Sequence, residues 1–241
     1  MNTTKRESMP TSAPAPAGRL VAETVAISLN GIALPAKLLV PIGARGIVLF
    51  TIANGCLRET ARTGLVAQSI EDAGIGTLSL SLLTPSEAEK DKSNSYWSYD
   101  LELLTHRLLQ ATCWIMHEPA TRELGIGYCA TSTIAAAALV AAGQLGYAVE
   151  AVVTRGGLPD LAGESLPKVT APTRLIIGER DGALVNINRR AFEHLTCRKD
   201  LAVVREAGHL FDEAGALEDV GRLSADWFAK YLKPLRRTLK S

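Results

Sequence analysis

Apolar and polar residues alternate along residues 21–28 and again along 32–40, which is the period of a half-buried strand. The Leu29-Asn30-Gly31 between them is a hairpin signal, because Asn and Gly accept positive φ at little cost. After Pro41 the pattern changes. Residues 46–53 form a short continuous apolar run, the kind buried on both faces of a parallel sheet. A helix is expected over 59–73, stopped by Gly74, then a strand over 75–83 and a loop over the polar stretch 85–95. Leu101, Leu104, Leu108, Ala111 and Ile115 recur at three- and four-residue intervals and predict a long amphipathic helix over 97–117, ended by Pro119. Strands follow at 124–129, 148–153, 174–177 and 201–204, interleaved with helices at 133–142, 187–194 and 216–232. Such alternation gives an α/β class: a mainly parallel central sheet, entered through an antiparallel hairpin and covered by helices on both faces. No internal period is visible, which excludes solenoids and propellers.

Composition narrows the class without changing it. With 241 residues, 47% of them hydrophobic and 21% charged, the chain is long enough for one large core. Residues 1–19, rich in Pro, Ala, Ser and Thr, are expected to be a disordered leader, residues 20–233 a single domain, and 234–241 a basic tail. Lys+Arg total 26 against Asp+Glu 25, a net charge of +1, so no overall field draws in nucleic acid or an anionic membrane. Lys233, Arg236, Arg237 and Lys240 are a local excess that reads as a solvated chain end. Cys56, Cys113, Cys129 and Cys197 are scattered, without Cys-x-x-Cys pairing or ligand spacing to the four histidines, so no metal site and a reducing, cytoplasmic setting are expected. No apolar run approaches the roughly 20 residues needed to span a bilayer, and the N-terminal stretch lacks the apolar region of a signal peptide.

Three segments carry candidate chemistry: Gly127-Tyr-Cys-Ala-Thr-Ser-Thr-Ile around Ser132, Gly178-Glu-Arg-Asp ending at Asp181, and Glu206-Ala-Gly-His-Leu-Phe around His209. Each follows an apolar strand, at the edge where functional groups of such sheets collect. Ser132 lies between a strand and an Ala-rich helix, where a tight turn would lift a nucleophilic hydroxyl clear of the sheet. Its structural alternative is a helix N-cap. For Asp181 the alternative is an Asx-turn, and for His209 an ordinary loop position. A His between an acid and a serine hydroxyl takes the serine proton and returns it to the leaving group, while the acid fixes its tautomer. His106, His117 and His194 fall within or at the end of expected helices and do not compete. Cys129 sits within a strand, where burial raises a thiol's pKa and leaves it inert.

The blocks Ser81-Leu-Leu-Thr-Pro-Ser-Glu, Ile126-Gly-Tyr-Cys-Ala-Thr-Ser-Thr, Thr154-Arg-Gly-Gly-Leu-Pro-Asp, Ala171-Pro-Thr-Arg-Leu-Ile-Ile-Gly and Gly208-His-Leu-Phe-Asp-Glu resemble the dienelactone-hydrolase-like α/β-hydrolases. Within them they resemble the branch that also occurs fused to a phosphoribosyltransferase domain. The resemblance covers residues 46–231. It implies Ser132 as nucleophile, Asp181 as acid and His209 as base, with ester, thioester or lactone hydrolysis as the chemistry. Dienelactone hydrolase itself uses Cys as nucleophile, so its substrate does not carry over to a serine. No acidic phosphate-binding motif of the phosphoribosyltransferase type appears, so that partner is not expected within this sequence.

The sequence departs from the family at three places. The elbow Gly-x-Ser-x-Gly is here Ala130-Thr-Ser132-Thr-Ile134, which puts a β-branched side chain where the helix usually passes close to backbone. Where the family commonly has His-Gly-Ser-Gly-Ser-Ser, this chain has Ile52-Ala53-Asn54-Gly55-Cys56-Leu57. The backbone N–H groups of Asn54 and Thr133 are the expected oxyanion donors. Ser81 replaces a common acidic residue.

The expectation is a cytoplasmic serine hydrolase acting through an acyl-enzyme on a small ester, thioester or lactone, with no cofactor, no nucleic-acid partner and no membrane. Tyr96, Trp97 and Tyr99 are candidates for one substrate wall, and Arg155 for contact with an anionic acyl group. Two alternatives share the sequence: a hydrolase fold retained as a binding module with a degraded oxyanion hole, and an acyltransferase using the same three residues. A homodimer is left open.

Overall fold

The computed structural model describes residues 21–29, 31–52 and 61–234. The expected leader, the basic tail beyond Pro234, and Ala53, Asn54 and Cys56 lie outside the described residues. β1 (Val21–Leu29) and β2 (Ile32–Val40) form the antiparallel hairpin, and β2 pairs antiparallel with β4 (Gly76–Ser81). From there the sheet is parallel, with β3 (Gly46–Ile52), β5 (Gly125–Ser132), β6 (Ala151–Gly157), β7 (Thr173–Gly178) and β8 (Lys199–Val204) giving the order β1-β2-β4-β3-β5-β6-β7-β8. The chain therefore switches direction between β3 and β5, and loops leaving their carboxyl ends share one edge.

Two apolar layers sandwich the sheet. On one face α1 (Ala61–Asp72) and α6 (Ala216–Tyr231) cover Val48, Phe50, Cys129 and Val153. On the other, α3 (Leu101–His117), α4 (Ile134–Leu145) and α5 (Gly182–His194) cover Leu49, Leu78, Tyr128 and Val152. The alternation Val152/Val153 and Tyr128/Cys129 between faces is the two-residue period of a strand buried on both sides. α4 is buried from Ile134 to Leu139, and its alanines let it lie close to the sheet.

The polar stretch expected as a loop is instead α2 (Pro85–Asn94). Its start is a capping box: the Thr84 hydroxyl accepts from the Glu87 amide at 3.3 Å, and the Glu87 carboxylate accepts from the Thr84 amide at 2.8 Å. The helix lacks an apolar periodicity because Ala88 is the only apolar residue it buries. Glu87 also receives two bonds from the Arg107 guanidinium, both at 2.7 Å, and Arg107 donates a third to the Leu82 carbonyl. That pairing pulls the Glu87 carboxyl down to about 2 and ties α2 to α3 and to the end of β4. The side chains are 7% and 21% exposed, so removing one partner costs about 3–5 kcal/mol, well above a surface pair.

Candidate active site

Ser132 is the last residue of β5 and has φ 53°, a left-handed conformation uncommon for a residue with a side chain. The strand runs three residues further than the pattern suggested, and Thr133, not Ser132, occupies the N-cap of α4. The helix-cap reading of Ser132 is thus set aside. The turn exposes the Ser132 side chain at the sheet edge and leaves the first N–H groups of α4 facing the same space. Gly157 makes the turn possible: a Cβ there would lie 2.4 Å from the Ala135 Cβ, and the Leu158 amide donates to the Ser132 carbonyl at 3.1 Å.

Asp181 stands at the N-cap of α5, yet its side chain makes no cap bond. It accepts instead from His209 Nδ1, with Oδ2 at 2.7 Å, and is 15% exposed against 56% for the His209 ring. An acid so placed fixes the ring with Nδ1 as donor and leaves Nε2 to accept a proton. The His209 loop crosses the end of β7 where only a glycine fits, since a Cβ on Gly178 would lie 2.4 Å from the Ala207 and Gly208 carbonyl oxygens. The ring itself lies over β6: a Cβ on Gly156 would stand 3.7 Å from His209 Cε1, beside the Gly157 that pairs with Ser132. Among the described residues no hydrogen bond joins the Ser132 hydroxyl to His209; such bonds often tighten only when substrate binds.

Beside Ser132 opens a cavity of 430 Å³ between the elbow, the end of β4, α2 and the turn Trp97–Tyr99. Thr133 and Ile134 line it. Ile134 lines this space from the first turn of α4 while packing in the core, and the Ala136 amide donates to the Thr133 carbonyl at 3.0 Å. Ser81 lines the cavity as well and closes the turn after β4, donating to the Leu83 carbonyl at 3.0 Å and accepting from its amide at 3.2 Å. Among the described residues the buried Thr133 hydroxyl has no hydrogen-bond partner.

The other substrate candidates fall differently. Tyr99 lines the cavity, Tyr96 is 64% exposed and does not, and the Trp97 side chain lies outside the described residues. Arg155 is corrected: β6 continues to Gly157, so Arg155 is within the strand rather than in the loop beyond it. Its side chain shares a face with Val153 and lies over the Phe50 ring at 5.4 Å, 8% exposed. Burial lowers its pKa, and Cys129 beside it opposes that shift. Cys129 is buried, and burial pushes its thiol up to about 11. Asn54 lies outside the described residues. The roles of Gly157 and Gly178 were not read from the sequence, although a Gly-Gly and an Ile-Ile-Gly at strand ends were the available signal.

Among the described residues, a mainly parallel eight-stranded sheet with an antiparallel hairpin, a left-handed Ser ending the central strand, and an Asp–His pair on later loops make up an α/β-hydrolase fold. A dienelactone hydrolase from Anabaena variabilis is 42% identical, superposes with a TM-score of 0.85, and is matched over 89% of this chain and 99% of its own. The chain belongs to the dienelactone-hydrolase-like family of hydrolases. A Mycobacterium tuberculosis protein provisionally named a phosphoribosyl transferase is 43% identical over 210 residues, which are 87% of this chain and 46% of that protein. The chain spans about half the length of the curated relatives it matches. The dienelactone hydrolase-like promiscuous phosphotriesterase P91 from metagenomic libraries shares the fold, with a TM-score of 0.72 at 16% identity, over 89% of this chain and 100% of its own. No family model matches the chain. Among the described residues no helix is long and apolar enough to cross a membrane.

Proposed function

We propose that the chain is a serine hydrolase that cleaves a small ester, thioester or lactone through an acyl-enzyme. The observation that carries this reading is the left-handed Ser132 on the same sheet edge as an Asp181–His209 pair bonded at 2.7 Å. In this reading His209 removes the Ser132 proton as the hydroxyl oxygen attacks the substrate carbonyl carbon. The oxyanion that forms is held by the Thr133 N–H at the start of α4, with Asn54 as the second donor. His209 then returns the proton to the departing alcohol, thiol or ring oxygen as the acyl bond to it breaks. Water, deprotonated by His209, attacks the acyl-enzyme, and release of the acid restores Ser132. Asp181 orients His209 and stabilises its imidazolium. None of these steps requires a metal or an organic cofactor.

The test is covalent labelling of the protein by a fluorophosphonate, read by intact mass, with Ser132→Ala and His209→Ala alongside. Stoichiometric labelling of the wild type, abolished in Ser132→Ala and strongly slowed in His209→Ala, is the expected result. A folded wild type that takes up no label would replace this reading with a binding module that has kept the hydrolase fold.

A further inference from the structure

The cavity beside Ser132 is unequal in its chemistry. Its inner wall is Leu82, Leu83, Ala88, Leu104 and Ile134, all buried in the core layer beneath α3 and α4. Its rim carries one anion and one cation, Asp91 and Lys92. The Lys92 ammonium already pairs with Glu89 at 2.6 Å, and Asp91 accepts from the Ser98 amide at 3.1 Å. The Lys92 and Glu89 side chains are 69% and 73% exposed, so the lining's one described cation stands in solvent at the rim, opposite the acid Asp91, and not against the apolar wall. Arg155, which the sequence suggested as an anion contact, lies in the opposite core layer over Phe50. Among the described residues no buried cation lines this wall, and removing an anionic group from water without one is unfavourable, whereas an apolar chain is favoured there.

Ile134 has a particular place in that wall. It is the second residue after Ser132 and the first of α4, and Thr133 beside it presents the expected oxyanion N–H to the same cavity. An acyl group bonded to Ser132 with its carbonyl oxygen at Thr133 must run past Ile134. Resting on the hydrolase reading above, we propose that this enzyme selects uncharged esters or thioesters with a short apolar acyl chain, and that Ile134 is the residue setting the chain length. The branched side chain takes volume that a longer chain needs, in a cavity that Leu104 also lines.

The experiment compares kcat/KM for p-nitrophenyl acetate, butyrate, octanoate and hemisuccinate in the wild type, Ile134→Val and Ile134→Ala, with melting temperature and fluorophosphonate labelling measured on each. Butyrate is expected to exceed hemisuccinate by about tenfold or more, since both place a four-carbon acyl group and differ in charge. The octanoate-to-butyrate ratio is expected to rise about tenfold in Ile134→Ala, the scale on which a pocket resolves one or two methylenes. Ile134→Val should move it less, in the same direction, and supports the proposal by itself if the Ala variant does not fold. Equal rates on hemisuccinate and butyrate would overturn the charge selection. An unchanged length ratio in folded, labelled variants would overturn the role of Ile134 alone. A wild type that is folded yet unlabelled would remove the hydrolase reading, and this proposal with it.

Discussion

The turn that carries Ser132 is held by close apolar packing, whereas the loop that carries His209 packs closely only at Gly178, Ala207 and Phe211 and is otherwise held by polar contacts near the surface. Around the elbow, Thr133, Ile134 and the alanines of α4 are buried, and the fit against β6 is tight enough that only glycine serves at position 157. Around the base, Glu206 and Phe211 both take positive φ, the Glu213 carboxylate accepts from the Gly208 amide at 2.9 Å, and Arg62 grips Asp212 with contacts of 2.6 and 2.8 Å. Ala207 and Phe211 anchor that loop in the core, at 0% and 3% exposed. Packing is indifferent to salt and pH, while half-exposed ion pairs are screened and carboxylates titrate. The difference suits the two roles proposed for Ser132 and His209. A nucleophile must stand in one place, and a base that serves first the hydroxyl and then the leaving group gains from a loop that can adjust.

The largest expected effect falls on the joint between the two regions. Asp181→Asn keeps the side-chain shape but allows the His209 ring the wrong tautomer, and should lower kcat/KM on an ester by about three to four orders of magnitude. Its melting temperature should scarcely change, because the substitution alters one hydrogen bond at the sheet edge. A loss of less than about tenfold would mean that the loop, not Asp181, orients the ring.

The next effect separates the two constructions directly. Gly157→Ala places a Cβ 2.4 Å from that of Ala135 and should destabilise the fold by about 1–3 kcal/mol, read by urea denaturation, while slowing fluorophosphonate labelling. Gly208→Ala is its counterpart in the His209 loop, where the new Cβ meets only Glu213 Oε1 at 3.2 Å. That variant should cost less than about 1 kcal/mol. Equal costs would show that both regions are packed alike.

The candidate positions were legible because Ser132, Asp181 and His209 each follow an apolar strand in a fixed chain order, a pattern that depends on topology more than on exact boundaries. Boundaries were where the reading failed. Ending β6 at Val153 put Arg155 in a loop, while the strand's two-residue period carries it onto the face of Val153 and beneath solvent. Ending β5 at Cys129 likewise left Ser132 open to the cap reading. Helix α2 was missed for another reason: it is specified by a capping box and by the Arg107 pair, a contact 20 residues distant in sequence, rather than by apolar periodicity. The cavity wall it provides was therefore invisible to hydrophobic pattern. The Thr-x-x-Glu signature at Thr84 and Glu87 was the signal that would have found it.

The smallest effect, and the finest test of the comparison, is the acid response of the His209 loop. Glu213 is held below the usual carboxylate range because its own backbone amide, and then that of Gly208, donate to the charged form. A carboxyl lowered in this way contributes to loop order fully above its ordinary pKa, and the contribution is lost as pH falls through the lowered value. Hydrogen exchange of a peptide covering 205–215, corrected for intrinsic rates, should therefore show constant protection from about pH 7 to about pH 5 and a decline below that. A peptide covering 130–140, from the packed elbow, should show no such decline while the protein stays folded. Glu213→Gln should reduce the acid-dependent change in the first peptide, leaving the share carried by the Asp212–Arg62 pair and by Glu179 on the Glu206 amide, and leave the second peptide untouched. If the elbow peptide loosened over the same range, the two regions would open as one unit, and the distinction between a packed nucleophile and a tethered base would fail.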